Sequence, residues 1–325
     1  MSSLKCIEAL EHIRKLRGGS QPILVKASDD YMYIVKFQNS LQGPNLLFNE
    51  AVGTELFRYT DLLVPEWRII HVSDSFIREN QDSWFETESG MQRPKSGLCF
   101  GSRLLSLNND SLFEILAGGY FSRVRNRSSF WTARVLDLLC DHADNRQAIF
   151  IQRATRWLDA YFIDHGHMFG GAGGSAYPQS LISRYLDARI YTEATQKTAN
   201  EVIEAIEGID LKKLDQVVSG LPAVWKSKLA LSRYDRFRRR ISDRALLSSA
   251  IYYLFGMADK ANEASDQSQA QCADGVEHTS LRAQVLPVRV KQRVRGWEGN
   301  SNCGEKRRKA QSVRPAWLET AGLHA

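Results

Sequence analysis

Two acidic residues, Asp144 and Asp164, stand twenty positions apart in segments that read His-Ala-Asp-Asn-Arg-Gln (142–147) and Phe-Ile-Asp-His-Gly-His-Met-Phe (162–169). Two β-like runs, 148–152 and 160–163, lie between them and suggest a hairpin. Carboxylates so spaced suit a division of labour in phosphoryl chemistry. One accepts or orients the proton of an attacking hydroxyl, and the other holds a divalent cation against phosphate oxygens. The apolar run before Asp164 and the glycine after it put that acid at a strand end, facing a cleft.

A third group with chemical potential is Lys36, inside the run Tyr-Ile-Val-Lys-Phe (33–37). Its neighbours are apolar on both faces, so its ammonium can be aimed into a cleft to hold nucleotide phosphates; an edge-strand lysine facing water is the plainer alternative. Glu50 shares a helical stripe with Leu46, Gly53 and Phe57. A carboxylate turned towards packing needs a cation, and Lys36 is the nearest in sequence. Gly18, Gly19, Ser20 and Gln21 form a small-residue turn whose backbone N–H groups can approach a phosphate. By itself such a turn is more often only a stop signal.

The elements that must position these groups follow from periodicity. Apolar residues at Ile7, Leu10, Ile13 and Leu16 predict a helix over 4–16, stopped by Gly18 and Gly19. Strands are expected over 23–27 and 31–37, joined as a hairpin across Asp29 and Asp30. A helix follows from 44 to about 59, then a strand over 67–72 that residues 75–78 extend or follow. Residues 79–96 read as a loop, 98–105 as a strand and 111–124 as a helix. Beyond them come a helix over 129–141, the short hairpin, a glycine loop over 170–174 and helices around 182, 194 and 211. A long final helix is expected over 225–258, with its arginines (Arg233, Arg236, Arg238, Arg239, Arg240 and Arg244) on a solvated face. Strands plus one helix, then a mostly helical half, predict an α+β, two-lobed fold. The expected divisions are a small β-rich lobe over 1–105, a helical lobe over 106–260 and a disordered basic tail over 261–325.

Charge belongs to the tail. Ten Lys/Arg against three acids lie from Arg282 onward, which exceeds the net +6 of the whole chain. The runs 289–295 and 306–309 allow at most weak contact with nucleic acid, since most such runs are simply solvated. Five scattered cysteines without a C-x-x-C pair fit a reducing compartment. The longest apolar run, about thirteen residues ending near Met257, is too short for a bilayer. With no leader-like start, a cytoplasmic protein is the expectation.

Taken together, Gly-Gly-Ser-Gln-Pro, Tyr-Ile-Val-Lys-Phe, Asn-Glu, Ala-Asp-Asn-Arg-Gln and Ile-Asp-His-Gly-His-Met-Phe resemble the motifs of HipA-like kinase domains, over residues 4–258. The segment 163–169 is also similar to the metal-binding segment of phosphatidylinositol kinases. The resemblance implies a protein-kinase-like fold and an ATP- and Mg²⁺-dependent transfer to an alcohol, with a protein Ser/Thr hydroxyl favoured and a small-molecule hydroxyl left open. It implies that Lys36 binds ATP phosphates and pairs with Glu50, and that Gly18, Gly19, Ser20 and Gln21 cover the phosphates. It further implies that Asp144 is the catalytic acid/base and Asp164 the Mg²⁺ ligand.

Among the departures from that pattern, which include the absence of a lysine after the glycine turn near Pro22, one matters more. Such kinases carry a second metal-binding Asn five residues after the catalytic Asp, and Ile149 stands there. Gln147, ranked ahead of Asn145, is the expected substitute, because an amide oxygen is a hard ligand. Without a substitute the chain would be a nucleotide-binding pseudokinase or interaction module. A metal-dependent hydrolase using His142, Asp144, Asp164, His165 and His167 is the remaining rival.

Overall fold

Lys36 ends a strand, and Glu50 lies in the helix that follows it. The computed structural model describes residues 6–105, 110–153, 155–173 and 184–256. Its amino-terminal part contains β1 (Cys6–Lys15), β2 (Ile23–Ala27), β3 (Met32–Lys36), α1 (Leu46–Arg58), β4 (Trp67–Val72) and α2 (Asp74–Glu79). A hairpin of β5 (Phe85–Thr87) and β6 (Gly90–Gln92) and the strand β7 (Gly97–Arg103) complete it. Five strands close into a barrel in the order β1-β2-β3-β7-β4. The β1–β4 pair is parallel and the others antiparallel. Closure leaves β3 in the wall, and Lys36, its last residue, pairs with Phe100.

The helix expected over 4–16 is a strand over its described part. Leu10 and Ile13 are 62% and 38% exposed, so the three-residue spacing marks no buried stripe. Register shifts between Ala9 and Glu11 and between His12 and Arg14 insert extra residues into β1. Such bulges erase the two-residue period that identifies a strand. The expected loop over 79–96 contains a 3-10 turn and the β5–β6 hairpin, whose strands of three residues are too short for periodicity to reveal. Residues 74–79 form a helix, not a strand extension, because the Ser73 hydroxyl accepts from Phe76 N at 3.0 Å and caps it.

Helix α1 is buried from Leu46 to Phe57 on every side. It lies between the barrel and the carboxy-terminal part, so its four buried polar residues need internal partners. Thr54 donates to Glu50 O, and Glu55 accepts from Trp67 Nε1 at 2.7 Å. The close approach of α1 to the segment after Asp164 requires Gly53. A Cβ there would meet His165 Cβ at 2.6 Å and Met168 Sδ at 2.7 Å. Gly53→Ala is therefore expected to lose about 1–3 kcal/mol of stability in urea unfolding through overpacking. An unchanged midpoint would show that the two elements do not approach this closely.

The carboxy-terminal part starts with β8 (Ser111–Phe113) and a 3-10 turn over Gly118–Arg123. The helix expected over 111–124 does not form, since Gly118 and Gly119 interrupt it. Next come α3 (Ser129–Leu139), β9 (Gln147–Gln152) and β10 (Leu158–Ile163), with β9 central in a β10-β9-β8 sheet. Helices α4 (Gln196–Glu207), α5 (Leu211–Gly220), α6 (Lys228–Ser242) and α7 (Arg244–Leu254) follow. The expected single final helix is two, because Asp243 leaves helical geometry and its carboxylate caps α7 at Leu246 N, 3.0 Å away. Arg233 is buried, contrary to the expected solvated face, and donates to Gly171 O and Gly173 O at 2.9 and 3.1 Å.

A strand-rich part with the helices α1 and α2, followed by a mostly helical half, gives the α+β, two-lobed architecture expected from the order of elements. The glycine loop beyond residue 173, the helix around 182 and the basic tail lie outside the described residues. No helix among the described residues is long and apolar enough to cross a membrane.

Candidate active site

Three segments far apart in sequence meet at Lys36. Its ammonium ion-pairs with Glu50 Oε1 and donates to Asp164 Oδ1 at 2.8 Å. Glu50 reaches it from α1, and Asp164 is the first residue after β10. Asp164 has φ 58°, a left-handed backbone in which Asp is among the better tolerated side chains. Its second oxygen, Oδ2, accepts from Gln147 Nε2 at 2.9 Å. The β9–β10 register explains this last contact, since Gln147 stands opposite Ile163.

The cluster has one carboxylate more than it has lysines. Burial opposes charge on Lys36, but Asp164 and then Glu50 outweigh it and raise its pKa above the usual lysine value. Burial likewise works against ionised Asp164, yet Lys36 beside it holds the carboxyl well below the ordinary range. Burial is the main influence on Glu50 and raises its pKa. The excess charge and the hard oxygens of Asp164 fit Mg²⁺, which takes one or two protein ligands and completes its shell with water and phosphate; Gln147 faces Asp164 with Nε2 and would join the shell with its amide turned over.

The segment after Asp164 is held from both lobes. Asn49 Nδ2 donates to Gly166 O at 2.8 Å, Met168 O at 2.7 Å and Gly171 O at 3.3 Å. His165 N donates to Glu50 Oε2 at 3.2 Å. A Cβ on Gly166 would stand 2.2 Å from Leu46 Cδ1 and 2.9 Å from Glu50 Oε1, so glycine is what admits the helix there. On the other side Arg146, 2% exposed, ion-pairs with fully buried Asp137 and donates to Ile163 O at 3.1 Å.

Asp144 is half-buried on the neighbouring loop, where its Oδ1 accepts from Asn145 N at 2.7 Å. Ala143 N donates to His167 O at 2.9 Å, which joins this loop to the segment after Asp164. The turn over 18–21 sits beside Gln42: a Cβ on Gly19 would lie 2.8 Å from Gln42 Nε2, and that nitrogen is 2.9 Å from His167 Nε2. Gln42 thus links the glycine turn to the Asp164 segment. Ser20 is buried, and the Gln21 side chain is committed elsewhere, exchanging two hydrogen bonds of 2.7 Å with the backbone of Glu86.

The histidines do not assemble a hydrolase site. The His165 ring is buried against Phe57, with centroids 4.5 Å apart, while His167 contacts Gln42. Burial, then Arg146, pushes His142 and His165 well below the ordinary histidine pKa. Among the described residues no group of three or more His, Cys, Asp or Glu side chains is placed to hold a metal ion. Sequence reasoning assigned no role to Gln42, Asn49, Arg146 or Arg233. The one available signal was a polar or charged residue within an otherwise apolar stretch, as Asn49 is after Leu46, Leu47 and Phe48.

No family model and no curated protein matches the chain. Among solved structures it is similar to the Helicobacter pylori proinflammatory kinase CtkA, at 14% identity over 74% of this chain and 95% of that one, with a TM-score of 0.49. It is also similar to the Golgi casein kinase with Mn/ADP bound, at 12% identity over 76% and 73% of the two chains and a TM-score of 0.38. A second structure of the Golgi casein kinase gives 12% identity, 79% and 75% coverage and a TM-score of 0.39.

Proposed function

We propose that this chain is a phosphotransferase of the HipA-like kinase type, using ATP and Mg²⁺ to phosphorylate a hydroxyl, with a protein Ser/Thr side chain as the favoured acceptor. The observation that carries this reading is Lys36, in ionic contact with both Glu50 and Asp164. A kinase uses a strand lysine paired with a helix glutamate in this way, opposite a metal-binding aspartate. In this reading residues 1–105 and 106–260 bind the nucleotide between them.

Asp164 and Gln147 would hold Mg²⁺, which when bound neutralises charge on the β- and γ-phosphate oxygens. Lys36 orients the phosphates, and Glu50 keeps Lys36 extended and charged. The turn of Gly18, Gly19, Ser20 and Gln21 would cover the phosphates with its backbone, the Gln21 N–H itself closing the turn on Gly18 O at 3.0 Å. Asp144 orients the acceptor hydroxyl and receives its proton. The balance is ATP plus R–OH giving ADP, the phosphorylated acceptor and a proton. Positioning and electrostatics carry the catalysis, without a covalent enzyme intermediate.

A second reading, a nucleotide-binding module without transfer, is favoured by Ile149, which has no oxygen to offer at the second metal position. ATP with Mg²⁺ is expected to raise the thermal unfolding midpoint, equivalent to about 2.7 kcal/mol at a hundredfold excess over Kd. A midpoint indifferent to ATP and Mg²⁺ together would reject both readings. A shift without γ-phosphate transfer to any hydroxyl would select the second.

A further inference from the structure

Arg146 is buried and meets Asp164 at its backbone carbonyl, whereas Lys36 meets it at its carboxylate. Its Nε donates to Asp137 Oδ2 at 3.0 Å, and its Nη2 pairs with Asp137 Oδ1. The remaining nitrogen, Nη1, faces Ile163 O at 3.1 Å, His165 Nδ1 at 3.2 Å and Asp164 O at 3.5 Å. The guanidinium carbon lies 4.7 Å from the centroid of the Phe57 ring on α1. One planar cation thus touches α3, the end of β10, the Asp164 turn and α1.

We propose that Arg146 is the positioning residue of the metal site, an inference that rests on the reading of Asp164 as a Mg²⁺ ligand. Its contacts are to the backbone on both sides of the Asp164 α-carbon, and that backbone is left-handed, at φ 58°. A non-glycine residue stays there only when its surroundings over-determine the conformation. Pulling the carbonyls of Ile163 and Asp164 towards Arg146 turns the carboxylate the other way, towards Lys36 and Gln147. Asp137 keeps the fork fixed. A buried ion pair adds little stability compared with an apolar pair, so geometry is the better account of its presence. Lysine cannot replace it, because a point charge cannot grip Asp137 with two nitrogens while reaching the carbonyls.

The test is Arg146→Lys, with Asp137→Asn as a second variant, using Mg²⁺ and Mn²⁺ themselves as probes. The thermal shift at fixed ATP is titrated with Mg²⁺, and Mn²⁺ binding in the presence of ATP is followed by electron paramagnetic resonance. The metal concentration for half-maximal effect is expected to rise about 10- to 100-fold in Arg146→Lys, as for other residues that orient metal ligands. The shift produced by ATP without metal should stay as in wild type, which general loosening of the fold would not allow. Asp137→Asn should move the metal requirement in the same direction by a smaller factor.

Wild-type metal dependence in a folded Arg146→Lys protein overturns the proposal. If that variant loses its cooperative unfolding transition, Asp137→Asn decides, and wild-type metal dependence there overturns it equally. Loss of folding in both would make Arg146 a folding residue, which also overturns it. A wild-type protein that shows no metal-dependent shift would instead sink the reading of Asp164.

Discussion

Asp164→Ala is expected to abolish magnesium-dependent nucleotide binding, while Asp144→Ala keeps that binding and loses transfer by about 10²–10⁴-fold. The two acids differ in what surrounds them. Asp164 has both carboxylate oxygens engaged, by Lys36 and by Gln147. Removing it deletes the carboxylate that fits the cation and leaves Gln147 as an isolated amide. Asp144 Oδ1 accepts from the N–H of the next residue, and its Oδ2 offers lone pairs to an acceptor hydroxyl. Equilibrium binding of ATP with and without Mg²⁺, beside transfer of the γ-phosphate, separates the effects. Wild-type Mg·ATP affinity in Asp164→Ala would remove the metal from this position. Unimpaired transfer in Asp144→Ala would remove the proposed base.

Lys36→Met is expected to lose about 3–5 kcal/mol of stability near neutral pH and to steepen the gain in stability on acidification. The ammonium lies between two carboxylates, one buried and one part-buried. In the wild type the raised pKa of Lys36 gives stability that is complete below the ordinary lysine value and lost only in strong alkali. The lowered pKa of Asp164 gives stability complete above the ordinary aspartate value and lost only in strong acid. Glu50, its pKa raised by burial, contributes in the opposite sense as pH falls through that raised value. Near neutral pH the Lys36 and Asp164 contributions are therefore constant, and of the three groups Glu50 favours acidification. Without Lys36, Glu50 and Asp164 must share a proton, and a folded-state pKa above the unfolded value makes stability increase on acidification. Unfolding midpoints should climb more steeply on acidification from neutral pH in the variant than in the wild type. A level profile in both would mean that the carboxylates do not feel each other across this site.

Much of the site could be read before the fold. A lysine in an apolar strand and a glutamate on an apolar helical stripe announce themselves because charge in such places is costly unless paired. The hairpin between Asp144 and Asp164 was visible because its runs are apolar, β-branched and bounded by polar turns. The bulged first strand was not, since two inserted residues imitate a helical period. The β5–β6 hairpin was too short to show one, and the break at Asp243 is a matter of one side chain capping the next helix.

The amino-acid string by itself determined which residues have charges that must find partners, and the order of strands and helices that makes an α+β, two-lobed chain. The string also offered Lys36 as the partner of Glu50, and the tertiary structure decided the rest. Packing brings Asp164 to that pair, the β9–β10 register sets Gln147 beside Asp164, and Arg146 turns inward to Asp137 instead of outward to water. Local sequence encodes periodicity and cost of burial, whereas pairing between residues 128 positions apart, as in Lys36 and Asp164, depends on packing that no short window contains.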